Sequence, residues 1–125
     1  GDTIDILDAK ILNFGIEFTA VATSDANKTA VLDAVVAQIR NNVTASKFEI
    51  GEPFYLSDLY RTINLVDGVL DTIDVRLLTR VGGAYSDVDL ELDSLIDHDG
   101  RVLTPPDNVI LELKSPFKDI VGIIK

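Results

Sequence analysis

Cysteine, methionine and tryptophan are absent, and histidine occurs once, at His98. Without thiols there are no disulfides, no zinc-thiolate sites and no thiol nucleophile. A single imidazole also excludes a multi-histidine metal site within one chain. Positive charge is scarce: 11 Lys and Arg stand against 21 Asp and Glu, a formal net charge of −10. That balance repels the phosphate backbone that a DNA or RNA binder must neutralise, so nucleic acid is not an expected partner. No apolar run approaches the roughly 20 residues of a membrane span, and no basic segment leads into a continuous apolar stretch as in a signal peptide. A membrane is not an expected partner either.

What is present fits one domain. The 125 residues, 46% hydrophobic and 26% charged, are enough to bury roughly two thirds of the unfolded surface in a single core. The carboxylate excess is explained by solvation, although a basic partner surface or a divalent cation is compatible with it. The chain starts at Gly1 and moves at once to the apolar-spaced Ile4, Ile6 and Leu7. It is expected to be the C-terminal piece of a longer chain.

Leu12, Phe14, Ile16, Phe18 and Ala20 alternate with Asn13, Gly15, Glu17 and Thr19, the period of two of a strand with one buried face. The Ser24, Asp25 and Asn27 cluster can cap a helix start. Val31, Leu32, Val35, Val36, Ile39 and Val43 follow at helical spacing, so an amphipathic helix is predicted from about Asn27 to Asn42. Phe48 and Ile50 suggest a short strand ended by Gly51 and Pro53. Leu56, Leu59, Tyr60 and Ile63 mark a second helix that stops before Gly68. Ile73, Val75 and Leu77 predict a strand, broken by Gly82 and Gly83. Val88, Leu90 and Leu92 against Asp87, Asp89, Glu91 and Asp93 predict another with an acidic outer face. Asp99-Gly100 and Pro105-Pro106-Asp107-Asn108 read as turns, and Val109, Leu111 and Leu113 as a last strand. The tail carries Phe117, Ile120, Val121, Ile123 and Ile124, too apolar to stay frayed; it should pack on the domain or on a partner. The expected fold is α+β, two helices on one face of a mixed or antiparallel sheet, ferredoxin-like or a split sandwich.

None of the candidate chemistry outweighs a structural reading. Asp97-His98-Asp99-Gly100 contains metal-ligating types, but neighbours in a turn point apart, and Asp-Gly is a turn dipeptide. The Asp87, Asp89, Glu91 and Asp93 row lacks the glycine and terminal glutamate of an EF-hand loop, and reads as a solvated or partner-facing surface. Gly82-Gly83 lacks the lysine of a phosphate loop, no Gly-x-Ser-x-Gly elbow occurs, and Asn42-Val43-Thr44 matches a glycosylation acceptor by pattern only. Phe48, Phe54, Tyr55 and Tyr60 read as core. No catalytic residue, metal ligand or cofactor site is predicted.

The order of three segments carries a resemblance. They are the opening strand and helix ending in Ala37, Ile39 and Val43; GEPFYLSDLYRTINLVDGVLDTIDVRL, with its Val66-Asp67-Gly68-Val69 turn; and DGRVLTPPDNVILELKSPFKDIVGIIK. Together, from about Ile11 onward, they resemble the C-terminal domain of baseplate wedge proteins of T4-like contractile-tailed phages, in the broad baseplate J-like family. The resemblance implies a structural role, not an enzyme, in the baseplate of the virion tail, assembled in the host cytoplasm. It implies association with itself, as a homodimer or ring contact, and with other wedge proteins. The residues expected to make that contact are Phe117, Ile120, Val121 and Ile123, then Asp87, Asp89, Glu91 and Asp93. Two other classes are compatible with the composition: a calcium- or carbohydrate-binding accessory domain at a bacterial surface, and a small enzyme using carboxylates alone.

Overall fold

A computed structural model describes residues 9–45 and 51–125; the strand predicted around Phe48 and Ile50 lies outside them. The elements in chain order are β1 (Lys10–Ala22), α1 (Lys28–Ala45), β2 (Phe54–Tyr55), α2 (Leu56–Asn64), β3 (Val69–Thr79), β4 (Val102–Leu103), β5 (Val109–Glu112) and β6 (Ile120–Ile124). A 3₁₀ turn at Leu92–Leu95 lies between β3 and β4.

The long strand β1 is the axis of the molecule. It pairs antiparallel with β3 on one edge, from Phe14↔Thr79 to Ala22↔Val69. On the other edge it pairs parallel with β5 through Lys10 to Asn13, then with β6 through Ile16 to Ala20. Lys10, Ile16 and Ala22 donate their N–H groups to the Asn108, Asp119 and Lys125 carbonyls, whereas the Asn13 carbonyl accepts from Arg80. Even positions of β1 therefore face β5 and β6, which lie one after the other along the same edge.

Both helices come between β1 and β3, and they cover one face of this mixed sheet. The fold is α+β, a two-layer helix-on-sheet arrangement in which helices do not alternate strictly with main-sheet strands. Even positions Leu12, Phe14, Ile16, Phe18 and Ala20 supply the core, with Val75, Leu77, Leu111 and Ile120 beside them. In α1, the buried residues Val31, Val35, Ile39 and Val43 recur every fourth position. Burying each contributes about 1.5–3 kcal/mol, against a few tenths lost to β-branching, so packing decides this helix. Asn27 caps it: its side-chain oxygen accepts the Ala30 N–H at 3.0 Å. In α2, Leu56, Leu59 and Ile63 face inward. No side chain caps its start; the Leu56 N–H instead donates to the Arg101 carbonyl at 2.7 Å.

The Val66-Asp67-Gly68-Val69 turn needs its glycine. Gly68 has φ +90°, and a Cβ there would lie 2.8 Å from Val31 Cγ2. Beyond it, β3 departs from the alternation that its sequence suggested. Thr19 pairs with Asp74 and Ala20 with Thr72, so Ile73 is an inserted bulge residue; Leu70 is a second one. Ile73 is consequently exposed, and Thr72 takes the buried place beside Val75 and Leu77.

The segment with the acidic row is not a strand. Residues 87–91 run as irregular chain into the 3₁₀ turn. The alternation nevertheless reports burial correctly: Leu92 is buried, Val88 and Leu90 pack against the core, and Asp87, Asp89, Glu91 and Asp93 are exposed. The segment is held by a side chain instead of a ladder, since the Leu90 carbonyl accepts the Thr79 hydroxyl at 2.6 Å. Alternating polarity reveals which side of a segment is dry, not whether a strand edge is available to pair with it.

Candidate association surface

The tail becomes β6, and its two faces differ. Ile120 is 6% exposed and belongs to the core, whereas Val121 and Ile123 are 53% and 59% exposed. Val121 lies beside Glu17 and Ile123 beside Thr19, on the sheet face that the helices leave open. On the far side of β1 that face continues with Arg76 and Asp74, an exposed ion pair at 3.5 Å. Of the four tail residues singled out by sequence, Val121 and Ile123 thus form one apolar strip. Ile120 points the opposite way, because successive strand residues alternate faces. Phe117 precedes β6, and its ring, 81% exposed, carries the Arg40 guanidinium 4.0 Å from its centroid. The acidic row lies elsewhere, in the segment after β3 that runs into the 3₁₀ turn, and does not join this strip.

Gly122 sits between the two exposed residues, in register with Phe18. A Cβ at Gly122 would fall among the Cζ and Cε atoms of the Phe18 ring. The ring lies over the glycine backbone and closes the core where β6 has no side chain.

A polar cluster anchors the loop after β3 beside this strip. Asn13 is 1% exposed; its amide donates to Glu112 at 2.7 Å, and its carbonyl oxygen accepts the Ser86 N–H at 2.6 Å. The Tyr85 hydroxyl donates to Asp119 Oδ2 at 2.7 Å, and Arg80 Nε lies 3.2 Å from Asp119 Oδ1. That second contact is an ion pair off the line of a hydrogen bond, so Asp119 Oδ1 has a cation nearby but no aligned donor. Lys114 Nζ donates to the Ala84 carbonyl. These contacts, centred on the buried Asn13 and Asp119, fix the backbone of the bend between β5 and β6, and with it the position of Phe117.

Away from this strip, the described residues form a sizeable groove and an acidic turn. A groove of about 960 Å³ between α1 and α2 is lined by Gln38, Asn42, Glu52, Tyr55, Asp58 and Arg61 among others. Its lining among the described residues contains no histidine, serine or lysine, and Asp58 and Arg61 pair with each other at 3.4 Å. His98 is exposed in its turn. There Asp97 Oδ1 accepts the Arg101 and Val102 N–H groups at 2.9 and 3.3 Å. The Arg101 hydrogen bond, aided by Val102, the His98 charge and Gly100, holds the Asp97 carboxyl below its usual 3.8 despite some desolvation. Among the described residues, no three His, Asp or Glu side chains come together to hold a metal ion. No helix among them is long and apolar enough to cross a membrane.

No protein-family model matches the chain, and no curated protein matches it significantly.

Proposed function

We propose that this chain is an assembly domain without catalytic activity, of the kind found at the C-terminus of baseplate wedge subunits in contractile phage tails. It joins copies of its own chain, and it also meets other wedge proteins in the virion baseplate. The observation that carries this reading is the two-sided character of β6. One face completes the core through Ile120, while the other presents Val121 and Ile123 to solvent on an open sheet face. A strand that is structural on one side and apolar on the other offers contact area without a separate binding loop, and such strips mark association sites more often than catalytic ones. The order of strand, helix, Val66-Asp67-Gly68-Val69 turn and Pro-rich turn before β5 supports the phage assignment. Sedimentation velocity over a wide concentration range tests self-contact. A sedimentation coefficient that rises with concentration is expected; a constant monomer value would overturn it.

A further inference from the structure

The free edge of β6 carries a second surface, distinct from the open face used in the proposed self-association. In the pairing of β6 with β1, the bonding groups belong to odd positions, as shown by the Asp119 and Lys125 carbonyls and the Lys125 N–H. The N–H and C=O groups of Ile120, Gly122 and Ile124 therefore point away from the sheet. No described residue pairs with them. Alongside this edge runs a groove of about 520 Å³ between β6 and α1, lined by Leu32, Val36, Phe117, Ile120 and Gly122. Arg40 and Lys118 stand at the Phe117 end, and neither makes an ion pair among the described residues. Asp33 lines the same groove, seven residues and so roughly 10 Å from Arg40 along α1.

The geometry points to strand addition: β6 pairs with an extended segment of a partner protein that carries a carboxylate beside Arg40 and Lys118. An unpaired strand edge next to an apolar groove supplies main-chain hydrogen bonds for affinity and side-chain pockets for register. The charge at the groove end selects the partner. On a chain of net charge −10, Arg40 stacked on the Phe117 ring and Lys118, whose ammonium lies 5.8 Å from the Tyr85 ring, have no ion-pair partner among the described residues and form a local exception, complementary to acid. A second copy of β6 fits this edge poorly. Antiparallel pairing centred on Gly122 would set Lys125 of one copy opposite Asp119 of the other, a carboxylate already held by Tyr85 and Arg80, and β6 itself has no carboxylate to place beside Arg40 and Lys118.

Short random peptides displayed against the immobilised chain test the assignment, with amide hydrogen exchange read on the complexes. The selected peptides are expected to be β-prone and acidic at one end, and to protect the Ile120, Gly122 and Ile124 amides. Arg40→Glu with Lys118→Glu should weaken them about tenfold or more and turn the selection toward basic peptides. Failure to select any peptide, or selection indifferent to these charge reversals, would overturn the proposal. So would protection confined to other amides. Protection of the edge amides that grows with protein concentration without peptide would assign the edge to a second copy, and would also overturn it. The proposed self-association is read separately, since it depends on Val121 and Ile123.

Discussion

Gly122→Ala isolates the contact that seals β6 onto the core. Replacing a strand glycine by alanine ordinarily stabilises by about 0.4–1 kcal/mol, because the unfolded chain loses freedom. Here the new methyl would occupy the space of three Phe18 ring carbons. Phe18 is buried on the central strand and paired on both edges, with Val75 and with Gly122, so neither ring nor strand moves aside freely. Overpacking of this kind costs about 1–3 kcal/mol, and a full overlap belongs in the upper half of that range. The net loss is therefore about 1–2.5 kcal/mol. At this chain length that lowers the melting temperature by roughly 4–10 °C. Urea unfolding followed by circular dichroism measures it, in the native background and with Phe18→Leu. Removing ring atoms opens the space, so Gly122→Ala should be close to neutral beside Phe18→Leu, a coupling of about 1–2 kcal/mol. A Gly122→Ala variant as stable as the native chain, or an equal loss in both backgrounds, would refute the packing described for β6.

Asn13→Ala should cost about 2–3 kcal/mol by urea unfolding, since it leaves the half-buried Ser86 N–H without its acceptor and Glu112 without its donor. It should also quicken proteolysis at residues 80–86. Tyr85→Phe removes one donor to Asp119 and should cost about 1 kcal/mol while leaving the unfolding slope unchanged. The Asp97 turn should titrate by NMR with a midpoint below 3.8. A depressed carboxylate stabilises above its unfolded value, and that contribution disappears as pH falls through the folded one. The Arg101 and Val102 amide shifts should follow this transition, and a midpoint above 3.8 would contradict the bonding described.

The parts of the fold that the sequence revealed are those governed by one-sided burial. β1, α1, α2 and β5 each repeat apolar residues at the period of their element, and each buries that stripe. Where pairing geometry decides, periodicity misleads. Inserted residues at Leu70 and Ile73 change which side chains of β3 point inward, and the acidic row keeps its alternation without joining a ladder. The tail combines both cases. Its apolar content signalled packing, but only the position of β1 alongside shows that Ile120 is core and that Val121 and Ile123 are surface. The polar anchor was invisible because its members meet across 34 to 99 residues of chain. One trace of it was present, an asparagine in β1 with Glu112 and Ser86 far away. Arg40 gave no signal either, since an arginine on the flank of an amphipathic helix is ordinary until a ring lies under it.

Opposed substitutions on the two faces of β6 test the assembly role most directly. Ile120→Asp places a carboxylate in the core and should unfold the domain by circular dichroism. Ile123→Asp keeps the fold and should abolish the rise of the sedimentation coefficient with concentration. A folded Ile123→Asp variant that associates like the native chain would contradict the assignment of this strip as the contact surface.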